Sequence, residues 1–144
     1  MKKVTLLAAI LSIVAITSKA QCDNNVTTWI SNKSEMIDSS GNVKGSKEEK
    51  TVVEITKTEV KFSNPDDEGS IMKGTINELQ CDWKEPFKTG KTVIKTDLVD
   101  PHGDVKNAVL TIEGNDGNIT IMARAAERPN EIIKLIISDI QQTK

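Results

Sequence analysis

Beyond residue 50, turn signals recur at short intervals, and the segments between them alternate apolar and polar residues. This recurrence constrains the fold more than any other feature. A period of two places the apolar residues of each segment on one face of a strand and offers a helix no continuous stripe. The clearest case is 78–83, where Leu79, Cys81 and Trp83 alternate with Glu78, Gln80 and Asp82. That pattern predicts a half-buried strand with Cys81 turned inward.

The same reading extends along the chain. Segment 26–37 opens it, with Trp29 as its only large side chain, and the polar, glycine-containing stretch 39–50 reads as a loop. Val53 and Ile55 in 51–56 face Val60 and Phe62 in 59–63 across a tight connection at Lys57 and Thr58, the pattern of a hairpin. Asn64-Pro65-Asp66-Asp67-Glu68-Gly69 is turn chemistry throughout, followed by strands at 70–76 and 78–83. A loop at 84–91 then leads to a strand at 92–99 and a turn at 100–104. Residues 106–113 and 118–126 flank an Asp116-Gly117 hairpin signal. Segment 131–142 fits an amphipathic helix as well as a strand, but its isoleucines favour the strand, with Pro129 and Asn130 as the preceding turn. No internal repeat or linker divides the chain. The expected fold is all-β: an antiparallel meander of about eight strands, closed as a small barrel or folded as a sandwich.

The N-terminus reads differently. Lys2 and Lys3 precede an uncharged apolar run over 4–16, and Ser18-Lys19-Ala20 supplies the small residues of a cleavage site. These three parts predict a secretory signal peptide over 1–20, cut after Ala20, and a single β domain over 21–144. The apolar run is shorter than the ~20 residues that span a bilayer, so no transmembrane segment is expected after cleavage. The expected location is therefore periplasmic or secreted. A lipid anchor on Cys22 would need an aliphatic residue at position 19 and a small one at 21, where Lys19 and Gln21 stand.

Export delivers the chain to an oxidising compartment, and Cys22 and Cys81 are its only cysteines. A Cys22–Cys81 disulfide is expected. It would close a loop of about 60 residues, worth about 4 kcal/mol in the chain-entropy account. Cys81 has no CxxC partner and no basic neighbour, which argues against a reactive thiol.

Without residues 1–20, 16 basic side chains stand against 21 acidic, a net charge of −5. Nucleic acid is bound chiefly through basic patches on its phosphates, and no basic stripe occurs, so nucleic acid is not an expected partner. The chain has no tyrosine, and its aromatic set is Trp29, Phe62, Trp83 and Phe87. An aromatic binding platform has little to draw on.

Catalytic chemistry is equally sparse. His102 is the only histidine, and no serine lies in a GxSxG elbow. No GxGxxG or phosphate-binding loop occurs, and no cofactor is expected. Asp100, His102 and Asp104 form one carboxylate–histidine–carboxylate cluster, a weak candidate metal site that lacks a further ligand and doubles as turn chemistry. The acidic turn at Asp66, Asp67 and Glu68 fails the calcium-loop pattern, because Thr75 stands where that loop needs its bidentate glutamate. Asn25, Asn32 and Asn118 head glycosylation sequons, which matter only in a eukaryotic secretory pathway.

In its general plan the chain resembles a lipocalin or calycin domain: an export signal, the early Trp29, then successive hairpins. It departs from that family at Thr27, where glycine is usual two residues before the tryptophan, and no binding residue carries over. The expectation is a non-catalytic exported or envelope-associated protein that holds a small apolar ligand or a protein partner. The alternative is a metal-dependent protein or enzyme centred on His102.

Overall fold

The computed structural model describes residues 26–143. Segment 1–20 and Cys22 lie outside them, and with them the expected signal peptide and one half of the expected bridge. Among the described residues nine strands make one antiparallel sheet: β1 (Val26–Ile37), β2 (Val43–Lys47), β3 (Thr51–Ile55), β4 (Glu59–Asn64), β5 (Asp67–Glu85), β6 (Thr89–Val99), β7 (Val105–Asn115), β8 (Asn118–Ala125) and β9 (Ile132–Thr143). From β3 to β9 each strand pairs with the next, and β9 returns to pair with β1 along its length. The sheet is therefore a closed up-and-down barrel of eight strands plus one extra, not a sandwich, and among the described residues there is no helix to cross a membrane.

The extra strand is β2. It pairs with Ser34–Ile37 of β1, while β3 pairs with Thr27–Ser31 on the same edge. Stretch 39–50 is therefore not all loop. Every side chain of β2 is exposed, so no alternation marks it in the sequence. Its backbone is held by β1 across a turn in which Asp38 Oδ1 accepts the N–H groups of Ser40 and Asn42, each at 2.9 Å.

Segments 70–76 and 78–83 join into the single 19-residue strand β5. The break expected between them is a bulge: Ile76 pairs with Thr96 and Glu78 with Lys95, leaving Asn77 over. Its amide donates to Asp97 Oδ2 at 2.9 Å. A bulge bends one strand and sharpens its twist, as a barrel wall requires.

The seam between β1 and β9 carries a bulge on each side, at Asn32 and at Ser138. Asn32 Nδ2 donates to Ser138 Oγ (3.2 Å), which donates to the carbonyl of Ile30 (3.0 Å). The extra residue resets which side chains of β9 face inward. Leu135 and Ile137 do so before it, Ile140 after it. Segment 131–142 is thus a strand, bonded to β1 along its length and to β8 over Ile132–Ile136.

The β7–β8 turn has the form its Asp-Gly step predicts. Asp116 and Gly117 both have positive φ, 54° and 91°, which matches the twist of the flanking strands. Inside the wall, Val53, Val60, Ile94, Leu110 and Ile121 are sealed from solvent. An eight-stranded barrel is just wide enough for such side chains to fill it, and this core plugs its middle. Two ends remain. One carries Trp29, Trp83 and Phe87; the other is bordered by the β1–β2, β4–β5, β6–β7 and β8–β9 connections.

Candidate ligand-binding site

The tryptophan end is closed by its own hairpin. β4 pairs with β5 only as far as Thr75, so beyond Glu78 β5 is joined to β6 alone. This projecting hairpin carries Phe87 against Trp29, with ring centroids 5.6 Å apart and tilted by 56°. The carbonyl of Lys88 accepts the N–H of Gly117 at 3.0 Å, fastening the tip to the β7–β8 turn. Trp83 lies over Gly114, where an added Cβ would fall 2.7 Å from the indole and from Ile119 Cδ1. A void of only about 40 Å³ remains here.

The polar atoms at this end are mostly spoken for. Trp83 Nε1 donates to Thr92 Oγ1 at 2.7 Å, and Thr92 Oγ1 donates to Cys81 Sγ at 3.5 Å. Trp29 Nε1 is the exception: it is buried without an acceptor. Cys81 shares the face of Leu79 and Trp83 and borders the void, but it is exposed rather than half-buried. Among the described residues, β5 has outrun β4 at this height and pairs there with β6 alone.

The opposite end is open. Its larger cavity, about 410 Å³, is lined by Phe62, Met72, Leu98, Ala123, Ile133 and Leu135 together with eight polar side chains, Asp67 and the Lys47–Glu49 pair among them. An adjoining cavity of about 320 Å³ shares Met72, Leu98, Ala123 and Ile133 and adds Met36 and Ala108. Met36 is 43% exposed and Ile133 39%, although both border these cavities. Apolar side chains therefore face solvent inside a concave mouth, the arrangement that small-molecule sites share. The alternation in 106–113 and 118–126 puts Ala108 and Ala123 on the inner face with Leu110, Ile112, Ile119 and Ile121. What the sequence lacked was their height: small residues near the open rim leave space that the larger core residues fill below.

The candidate metal cluster lies on the rim, on the β6–β7 turn. Asp100 Oδ1 accepts the N–H groups of His102 (2.9 Å) and Asp104 (3.0 Å), and Asp100 Oδ2 lies 3.6 Å from Lys106 Nζ. Burial pushes the Asp100 carboxyl up, but those two backbone donors and the charges of Lys106 and His102 outweigh it, and the net shift is downward. The Asp100 carboxylate thus organises the turn, while His102 and Asp104 project into solvent. Among the described residues, no three His, Cys, Asp or Glu side chains are grouped to hold a metal ion. In the β4–β5 connection Asn64 Oδ1 accepts the N–H of Asp66, and at the start of β5 Asp67 Oδ1 accepts the N–H of Gly69.

The fold and its mouth define the class: a closed eight-stranded meander barrel with one plugged end and one open end of mixed polar and apolar lining. In comparisons with protein-family models, curated proteins and solved structures, nothing matched the chain.

Proposed function

We propose that this chain is an exported, non-catalytic binding protein that holds a small apolar ligand in the open end of its barrel. One observation carries the reading: within two adjoining cavities of mixed polar and apolar lining, the apolar side chains of Met36 and Ile133 face solvent above the buried Phe62, Leu98 and Leu135. Burying such surface under a ligand is favourable by about 25 cal/mol per Å². An eight-stranded barrel has room for one small ligand above its packed core. The expected Cys22–Cys81 bridge and the signal peptide complete the reading, and both are tested by intact mass. The exported chain should begin at Gln21 and gain two hydrogens on reduction.

Binding itself is tested with N-phenyl-1-naphthylamine, an uncharged apolar dye whose emission rises in apolar surroundings. The dye should titrate saturably into the protein. Ala123→Phe, which fills the space shared by both cavities, should weaken it by about tenfold or more. His102→Ala, on the exposed β6–β7 turn, should leave it unchanged. Undiminished dye binding in an Ala123→Phe variant that keeps its β-sheet circular dichroism would place the dye elsewhere and end the mouth reading.

A further inference from the structure

The turn that closes the tryptophan end is built against the preference of its residues. The N–H of Lys88 donates to the carbonyl of Glu85 at 3.1 Å, so Pro86 and Phe87 are the central pair of a four-residue turn. Phe87 has a φ of 55°. Glycine or asparagine usually fills such a position, and a bulky side chain there holds a sparsely populated conformation. Asp116, which also has positive φ, stands in an Asp-Gly hairpin step that calls for it; Phe87 does not. The strained backbone sets an aromatic ring on Trp29. Residues strained in this way cluster at ligand clamps and switches.

The turn is lightly attached. Pairing of β6 with β7 starts at Gly90, and pairing of β5 with β6 skips Lys84, so segment 84–89 pairs only with itself. Among the described residues one hydrogen bond joins it to the barrel, from the N–H of Gly117 to the carbonyl of Lys88. Beside the Phe87 ring lies the void of about 40 Å³, bordered by Ile55, Leu79, Ile94 and Ile112. Trp29 borders it too, is only 4% exposed, and keeps its Nε1–H without an acceptor. A buried donor left unpaired is costly, so an acceptor brought to it is bound with advantage.

From these features together we infer that the tryptophan end is a second ligand site, with Phe87 as its stopper. Segment 84–89 swings out, the ligand takes the place of the ring and reaches the void, and its acceptor atom receives the hydrogen bond of Trp29 Nε1–H. Trp83 Nε1 already has Thr92 Oγ1, so Trp29 is the polar anchor. The ligand class that fits is a small, uncharged, apolar molecule carrying one hydrogen-bond acceptor, such as an aromatic ketone. This site stands at the opposite end from the mouth and does not depend on it.

The test uses the full exported chain, isotope-labelled for amide and indole resonances, and two probes of one shape. Acetophenone carries a carbonyl oxygen where α-methylstyrene carries a methylene. The two indole N–H signals are assigned from Trp29→Phe and Trp83→Phe. Acetophenone should move the Trp29 signal downfield and saturably, and should bind about tenfold tighter than α-methylstyrene, the difference one hydrogen bond to a buried donor makes. Phe87→Gly removes both the ring and the strain and makes the open form dominant, so it should tighten acetophenone by about tenfold or more. Ala123→Phe, at the mouth, should leave the Trp29 response unchanged. A Trp29 signal that stays still in the parent overturns the inference even where Phe87→Gly binds, because deleting the ring would then have made the cavity. Equal affinity for the two probes overturns it as well, since Trp29 would anchor nothing.

Discussion

Two tryptophans of one barrel end differ in a single atom's circumstances. Trp83 Nε1 has an acceptor in Thr92, and Trp29 Nε1 has none, although both rings are buried. Replacing either with phenylalanine removes similar volume, but only at position 83 does it also break a buried hydrogen bond. Trp83→Phe should therefore cost about 1 kcal/mol more than Trp29→Phe in urea unfolding. Equal losses would show that the Trp83–Thr92 bond contributes nothing. At the other end, backbone and side-chain donors from Asn42, with further help from Lys44 and Ser40, hold the Asp38 carboxyl at a pKa of about 2. A carboxyl lowered on folding stabilises the native state above its unfolded pKa, and that contribution fades as pH falls through the folded value. A carbon-detected titration should find the Asp38 midpoint near 2. In Asp38→Ala, the β1–β2 turn should lose amide protection at neutral pH, and the difference from the parent should vanish in strong acid.

At the scale of the element, alternation was a faithful guide wherever a strand has one wet face and one buried face. Residues 106–113 and 118–126 were legible on that ground, and Asp116-Gly117 announced the turn between them. β2 was not legible, because both of its faces are wet and only a neighbour's backbone makes it a strand. The continuity of β5 through Asn77 was hidden for a related reason: one extra residue breaks the period without breaking the strand. The site shared this limit. Which residues point inward could be read, but not which stand at the rim, since height depends on the stagger between strands. Close approach is an element property too. Gly114→Ala would press a methyl into Trp83 and Ile119, and should cost about 1–3 kcal/mol by thermal unfolding. Gly117→Ala strains only an open turn, where an added Cβ meets nothing, so it should cost less, about 1 kcal/mol.

Across the whole molecule, closure joins the first described strand to the last. Deleting 132–143 exposes the edges of β1 and β8 together, so the truncated chain should lose its cooperative unfolding transition rather than merely melt earlier. A sharp transition in that truncation would mean the remaining strands close by themselves. The β1–β9 seam also has a meaning in time. A ribosome makes β9 after the other eight described strands, and until it emerges β1 has neighbours on one side alone. The partner that completes the wall lies about 100 residues downstream, and pairings so distant in sequence form late and slowly. Until β9 is made, the growing sheet keeps two unpaired edges, β1 at its start and the newest strand at its end.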